Sequence, residues 1–286
     1  MALFRSYDRA GLDAQYNLRA KVADFQVYLD RYESRSAEVR SALTCRLDVA
    51  YGPSPAETLD IFPAANDGAP VHVFIHGGYW QALDKRAFDF IAGGLVPAGA
   101  AAVIVNYALA PSVTMDEIVR QVRAALAWVW RHAPEFGGDP SRLFVSGHSA
   151  GGHLTAMMAL TDWPAFGAGL PGDLVKGGFA ISGIYELEPI RLCYLNDNVR
   201  LDPAAALRNS PIFLLRSKAP PLLLAVGALE TAEFLRQQAE FAEAWRARGL
   251  SAELVAAQGL HHFSVVEKLA DAGSALNYAA LRQMGL

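Results

Sequence analysis

From about residue 45 to the end of the chain, short apolar runs alternate with longer stretches whose apolar positions recur every three to four residues. Runs of four to eight apolar residues read as buried strands at 71–75, 101–106, 141–145, a run ending near 182, 220–227 and 252–257. Between them lie helical patterns at about 85–96, 114–132, 153–160 and from about Thr231 onward. The clearest is 114–132, where Ile118, Val122, Ala125 and Val129 form one face and Asp116, Glu117, Arg120 and Arg123 the other. Ser112 and Thr114 ahead of Asp116-Glu117 supply its cap, and Pro134 ends it. Two further runs, 44–50 and 58–62, joined by Tyr51-Gly52-Pro53, predict an antiparallel start. Strand and helix in this order predict a mostly parallel twisted sheet with helices on both faces.

Two segments stand outside the alternation. Residues 1–43 are polar and helical in pattern, an N-terminal extension that packs outside the sheet or over a cleft. Residues of about 185–218 carry irregular turns and short helices, in the place of a lid or cap-like insertion. No repeat or low-complexity tract divides the chain, so its 286 residues are expected to form a single domain, 1–286. Composition narrows the partners. With 52% hydrophobic and 19% charged residues, the chain buries a large core. A net charge of −4 without a basic stripe argues against nucleic acid. The longest apolar stretch is broken by Gly99 and Asn106, so no membrane span is expected. Cys45 and Cys193 are too few for a disulfide framework and are expected to be reduced and buried. With no apolar signal core at residues 1–9, a cytoplasmic protein is expected; a homodimer is left open.

The most informative stretch is Gly147-His148-Ser149-Ala150-Gly151-Gly152, a G-x-S-x-G pattern between a strand and a helix. In that setting the serine sits on a cramped turn with its hydroxyl above the sheet, and the next backbone N–H faces the same space. A serine nucleophile needs a base, and the base needs an orienting acid. Glu230 lies just past the 220–227 strand, at the carboxyl edge of the sheet. Glu233 competes, but its place on the following helix reads as a first-turn acid. The loop after 252–257 carries His261 and His262, of which one can face the serine; His262, followed by Phe263 and a helix, is preferred. Upstream, the strand 71–75 runs into His76-Gly77-Gly78-Tyr79-Trp80, where paired glycines let backbone amides approach an oxyanion. The expected set is Ser149, Glu230 and His262, with the amides of Gly77, Gly78 and Ala150 as the oxyanion hole.

Competing chemistries fit poorly. His148 and His153 are five apart, off the i, i+4 face of helical zinc sites, and no Cys or carboxylate pattern completes a ligand set. The glycine turn lacks the Lys-Ser/Thr of a phosphate loop. Neither a metal nor an organic cofactor is expected. A silent binding protein on the same scaffold is disfavoured by the complete nucleophile, acid and histidine set.

With these residues in place, the chain resembles the arylformamidase (kynurenine formamidase-like) branch of the α/β-hydrolases. The resemblance runs through Gln15-Tyr16-Asn17-Leu18-Arg19, the His76–Trp80 and Gly147–His153 motifs, Asn209-Ser210-Pro211-Ile212, residues 230–237 and His262-Phe263. It implies the α/β-hydrolase fold and removal of a small acyl group, formyl above all, from an aryl amide of the N-formyl-kynurenine kind. An acyl-enzyme carries the reaction, without cofactor. The acid position, often Asp in such proteins, is Glu230 here. Tyr79, Trp80, Tyr107, Tyr185 and Phe263 are the expected aromatic contacts of the substrate, with Leu192 and Tyr194 as further candidates from the insertion. A carboxylesterase or another amidase on the same scaffold is the alternative.

Overall fold

A computed structural model describes residues 2–286. One eight-stranded sheet runs through them in the order β1-β2-β4-β3-β5-β6-β7-β8. The strands are β1 (Arg46–Ala50), β2 (Thr58–Phe62), β3 (Ala69–Ile75), β4 (Ala101–Val105), β5 (Gly138–His148), β6 (Gly177–Ile181), β7 (Leu222–Ala225) and β8 (Ala252–Leu254). β2 pairs antiparallel with both β1 and β4; all other pairs are parallel. This is the α/β-hydrolase fold. β3 and β4 are buried along their whole length, as the apolar runs Val71–Ile75, broken only by His72, and Ala101–Val105 require of strands covered on both faces.

Helices α1 (Arg9–Tyr16), α2 (Leu18–Lys21) and α3 (Phe25–Ala42) precede the sheet, and α4 (Ala92–Leu95), α5 (Met115–His132) and α6 (Ala150–Ala159) cover its faces. α5 starts where the cap predicts: Thr114 accepts the amide of Glu117 at 3.3 Å, and Ile118, Val122, Ala125 and Val129 are all buried. The segment 85–96 differs from a plain helix. It is a 3₁₀ helix over Lys85–Ile91 followed by the four residues of α4, whose Gly93-Gly94 pair is a weak α-helix former. At Gly94, a Cβ would stand 2.6 Å from the backbone of Ala270, so close packing selects glycine there over a better helix former. The final strand is shorter than its apolar run, three residues instead of six.

α3 is unlike the other long helices. Only Tyr32 and Ser36 of its 18 residues are buried. Ion pairs dock it instead: Arg31 with Glu267 at 2.6 Å, Arg35 with Asp271 at 2.8 Å and Arg40 with Asp89 at 2.6 Å. Both cysteines are free; Cys193 is buried, whereas Cys45, just before the edge strand, stays partly exposed, against expectation. No helix among the described residues is long and apolar enough to cross a membrane.

Candidate active site

Ser149 sits between β5 and α6 with φ 58° and ψ −117°, a conformation that costs a non-glycine residue on the order of 1–3 kcal/mol. The surroundings hold it there. Its N–H donates to the carbonyl of Ile181 at 2.8 Å, and its carbonyl accepts the N–H of His153 at 3.1 Å. The turn closes against β3: a Cβ on Gly151 would lie 1.9 Å from the carbonyl oxygen of Ile75. All ten residues of α6 are buried, so the helix behind the serine is fixed by packing on every side.

Behind Ser149 the loop after β3 turns sharply. Gly78 takes φ +105° and a Cβ there would stand 2.0 Å from the carbonyl oxygen of Ala82. Gly77 runs beside the serine, its Cβ position 3.1 Å from the Cβ of Ser149. Among the described residues the N–H groups of Gly77, Gly78 and Ala150 donate to no protein acceptor. His76 braces this loop rather than facing the cleft. Its Nδ1 bonds to the carbonyl of Gly77 at 2.8 Å, and its ring stacks 4.2 Å from Tyr107, whose hydroxyl donates to the His76 carbonyl. Burial lowers its pKa to about 4, so the ring is neutral.

On the other side, the adjacent histidines divide their tasks. His261 caps the short helix His262–Val265, its Nδ1 accepting the amides of Phe263 and Ser264 at 3.2 and 3.3 Å. His262 is buried and bonds through Nδ1 to Glu230 Oε2 at 2.6 Å. The other carboxylate oxygen, Oε1, accepts the Ser182 hydroxyl at 2.5 Å and the Gly227 amide at 2.8 Å. A fully occupied carboxylate of this kind holds an imidazole in one tautomer, with Nε2 free to accept a proton. Glu233 takes no part. It pairs with Arg236 at 2.8 Å and accepts the Tyr16 hydroxyl at 3.2 Å.

Ser149 and His262 line one cavity of about 360 Å³, together with Gly78, Tyr79, His148, Phe263 and residues of the extension and insertion. No hydrogen bond joins the Ser149 hydroxyl to either ring among the described residues. Of the five expected aromatic contacts, Tyr79 and Phe263 line this cavity. The other three are corrected. Trp80 is fully buried behind the loop, its Nε1 donating to His153 Nδ1 at 3.2 Å. Tyr107 lies beneath His76, and Tyr185 stacks on Phe241 at 4.1 Å in a separate core. Leu192 does not line the cavity, whereas Tyr194 does.

Sequence reasoning missed several lining residues. His148, the residue just before the elbow serine, lies 4.5 Å from the His262 ring, and burial holds its pKa well below the ordinary value. Asn17, Leu18, Arg19, Leu29 and Tyr32 come from the extension, 200 residues and more before His262. Tyr32 donates its hydroxyl to the Phe263 carbonyl, and the hydroxyls of Tyr79 and Tyr194 both point to the carbonyl of Tyr16, at 2.8 and 3.4 Å. No group of three or more metal-ligating side chains occurs among the described residues.

Known proteins are similar to this chain in sequence and fold. The BD-FAE family model matches residues 59–166. A kynurenine formamidase from Danio rerio is 32% identical over 100% of this chain and 99% of its own length. A solved protein from Silicibacter sp. tm1040, described as a candidate thioesterase, shares 30% identity at TM-score 0.84, covering 96% of this chain and 99% of that one. An esterase from Pyrobaculum calidifontis, 20% identical at TM-score 0.71 over 91% and 94% of the two chains, shares the fold.

Proposed function

The chain belongs to the kynurenine formamidase family of α/β-hydrolases, and from that premise we propose that it releases a small acyl group, formyl above all, from an aryl amide of the N-formyl-kynurenine kind. Ser149 is the nucleophile, His262 the base and Glu230 the group that orients and stabilises the imidazole. His262 removes the hydroxyl proton as Ser149 attacks the acyl carbon, and the amides of Gly77, Gly78 and Ala150 receive the negative charge. Each such donor is worth about 3 kcal/mol in the transition state. The imidazolium then returns its proton to the departing aryl amine, and water, activated by the same ring, frees the acyl-enzyme.

One observation carries the reading: the 2.6 Å Glu230–His262 contact stands on the wall of the same cavity as a serine held at φ 58°. The cavity volume, near the low end of the roughly 300–1,000 Å³ typical of small-molecule sites, supports a compact substrate rather than a polymer or long acyl chain. Residues 1–43 and about 185–218 act as its roof. A cytoplasmic setting is supported by two unpaired cysteines.

Turnover of N-formyl-kynurenine against short p-nitrophenyl esters tests the substrate class; rapid ester cleavage with the formamide untouched would favour the carboxylesterase alternative. That alternative draws its support from the scaffold, which does not fix the substrate. A fluorophosphonate probe should label Ser149 in the folded protein, and absence of the adduct would reject the nucleophile.

A further inference from the structure

We infer that Arg19 grips a carboxylate carried on the leaving group, so that the site selects aryl substrates that bear a carboxylate over those that do not. The inference rests on the hydrolase reading of the Ser149 cavity and adds a substrate charge to it. Among the residues lining the cavity, Arg19 bears the only permanent charge; no Asp or Glu lines it. A substrate ammonium therefore finds no counter-ion in that wall, whereas a carboxylate finds one.

Arg19 is also uncommitted. Other arginines of the extension are engaged, Arg9 with Asp13, Arg31 with Glu267, Arg35 with Asp271 and Arg40 with Asp89. Arg19 has no carboxylate within ion-pair distance among the described residues, and its guanidinium rests over the Phe25 ring at 5.3 Å. Phe25 in turn packs on Phe263 at 5.8 Å, the neighbour of His262. This aromatic ladder parks the cation at the exposed rim of the cavity while its N–H groups stay free. A planar guanidinium so held matches a carboxylate with two parallel hydrogen bonds, which a lysine does not reproduce. The chemical class that fits is an aryl amide or ester with its carboxylate remote from the scissile bond.

The test compares two substrate pairs on the full chain and on Arg19→Gln and Arg19→Lys. N-formyl-kynurenine is set against formanilide, and 4-acetoxybenzoate against phenyl acetate. Arg19→Gln should raise KM for the carboxylated member of a pair about tenfold and leave the neutral member within about twofold, with kcat changed little. Arg19→Lys should recover part of the loss. Added salt, at about 0.5 M, should erode the wild-type advantage of the carboxylated member, because the contact is exposed. Equal losses on both members, or no loss on either, overturn the inference. If the wild-type chain leaves both formamides intact but cleaves the esters, the formamidase reading fails and the ester pair still decides the role of Arg19.

Discussion

On the floor of the cavity most groups hang from the ends of buried strands: Ser149 from β5, Gly77 and Gly78 from β3, Ser182 from β6 and Glu230 from the loop after β7, while His262 follows the largely exposed edge strand β8. On the roof, α3 buries only Tyr32 and Ser36 and is tied by arginine–carboxylate pairs, with tyrosine hydroxyls joining the neighbouring segments. The floor is fixed by packing that leaves no room, such as the 1.9 Å approach at Gly151. The roof is fixed by polar contacts, which hold orientation but yield more readily to salt, pH and single substitutions. On the proposed reading, chemistry belongs to the rigid layer and substrate choice to the adjustable one.

The sharpest way to break that division is to remove groups from the floor. Ser149→Ala or His262→Ala should each lower kcat by on the order of 10⁴-fold or more, and the double variant should lose little beyond either. Glu230→Gln should cost about 10⁴-fold through the wrong histidine tautomer. Glu233→Gln, three residues on but bonded toward the roof, should leave kcat within about threefold. A large kcat loss on Glu233→Gln would mean that floor and roof share one network.

Stability against pH separates the layers next. His72, His76 and His153 beneath the floor are fully buried and depressed to about 4. The unfolded chain binds protons at these rings more readily, near pH 6.5. Their contribution is therefore complete above pH 6.5 and is lost as pH falls toward 4, by at most about 3 kcal/mol per ring. Asp89, which anchors α3 through Arg40, runs the opposite way. Burial and the facing Asp60 carboxylate raise it to about 7, so its contribution is present at acid pH and is lost as pH rises through 7. Urea midpoints across pH 4–8 should show both limbs, and Asp89→Asn should flatten only the upper one. The smallest expected effect is at the roof: Tyr32→Phe removes a hydrogen bond to the Phe263 carbonyl worth about 1 kcal/mol, and should raise KM about fivefold with kcat nearly unchanged.

The same division explains what could be read in advance. The elbow, the glycine pair and the acid past β7 are local patterns, because a strand end followed by a cramped turn demands small residues at set positions. The order of strands and helices was legible for the same reason. Trp80, Tyr107 and Tyr185 were misplaced because an aromatic side chain has the same apolar signature facing a core or a cavity. Arg19 and Tyr32 gave no local signal at all. Their place in the site depends on a roof that closes over residues more than 200 positions later, and only Gln15–Arg19, through its family likeness, marked the neighbourhood as more than a solvated helix.

The Arg31–Glu267 pair spans 236 positions, and during synthesis that separation is a delay. At a few to twenty residues per second, α3 leaves the ribosome on the order of ten to fifty seconds before its docking partner exists. A helix with a broad greasy face would spend that interval looking for other surfaces. One that is polar nearly all round can wait in water, and a late-made helix then latches this early one over a finished sheet.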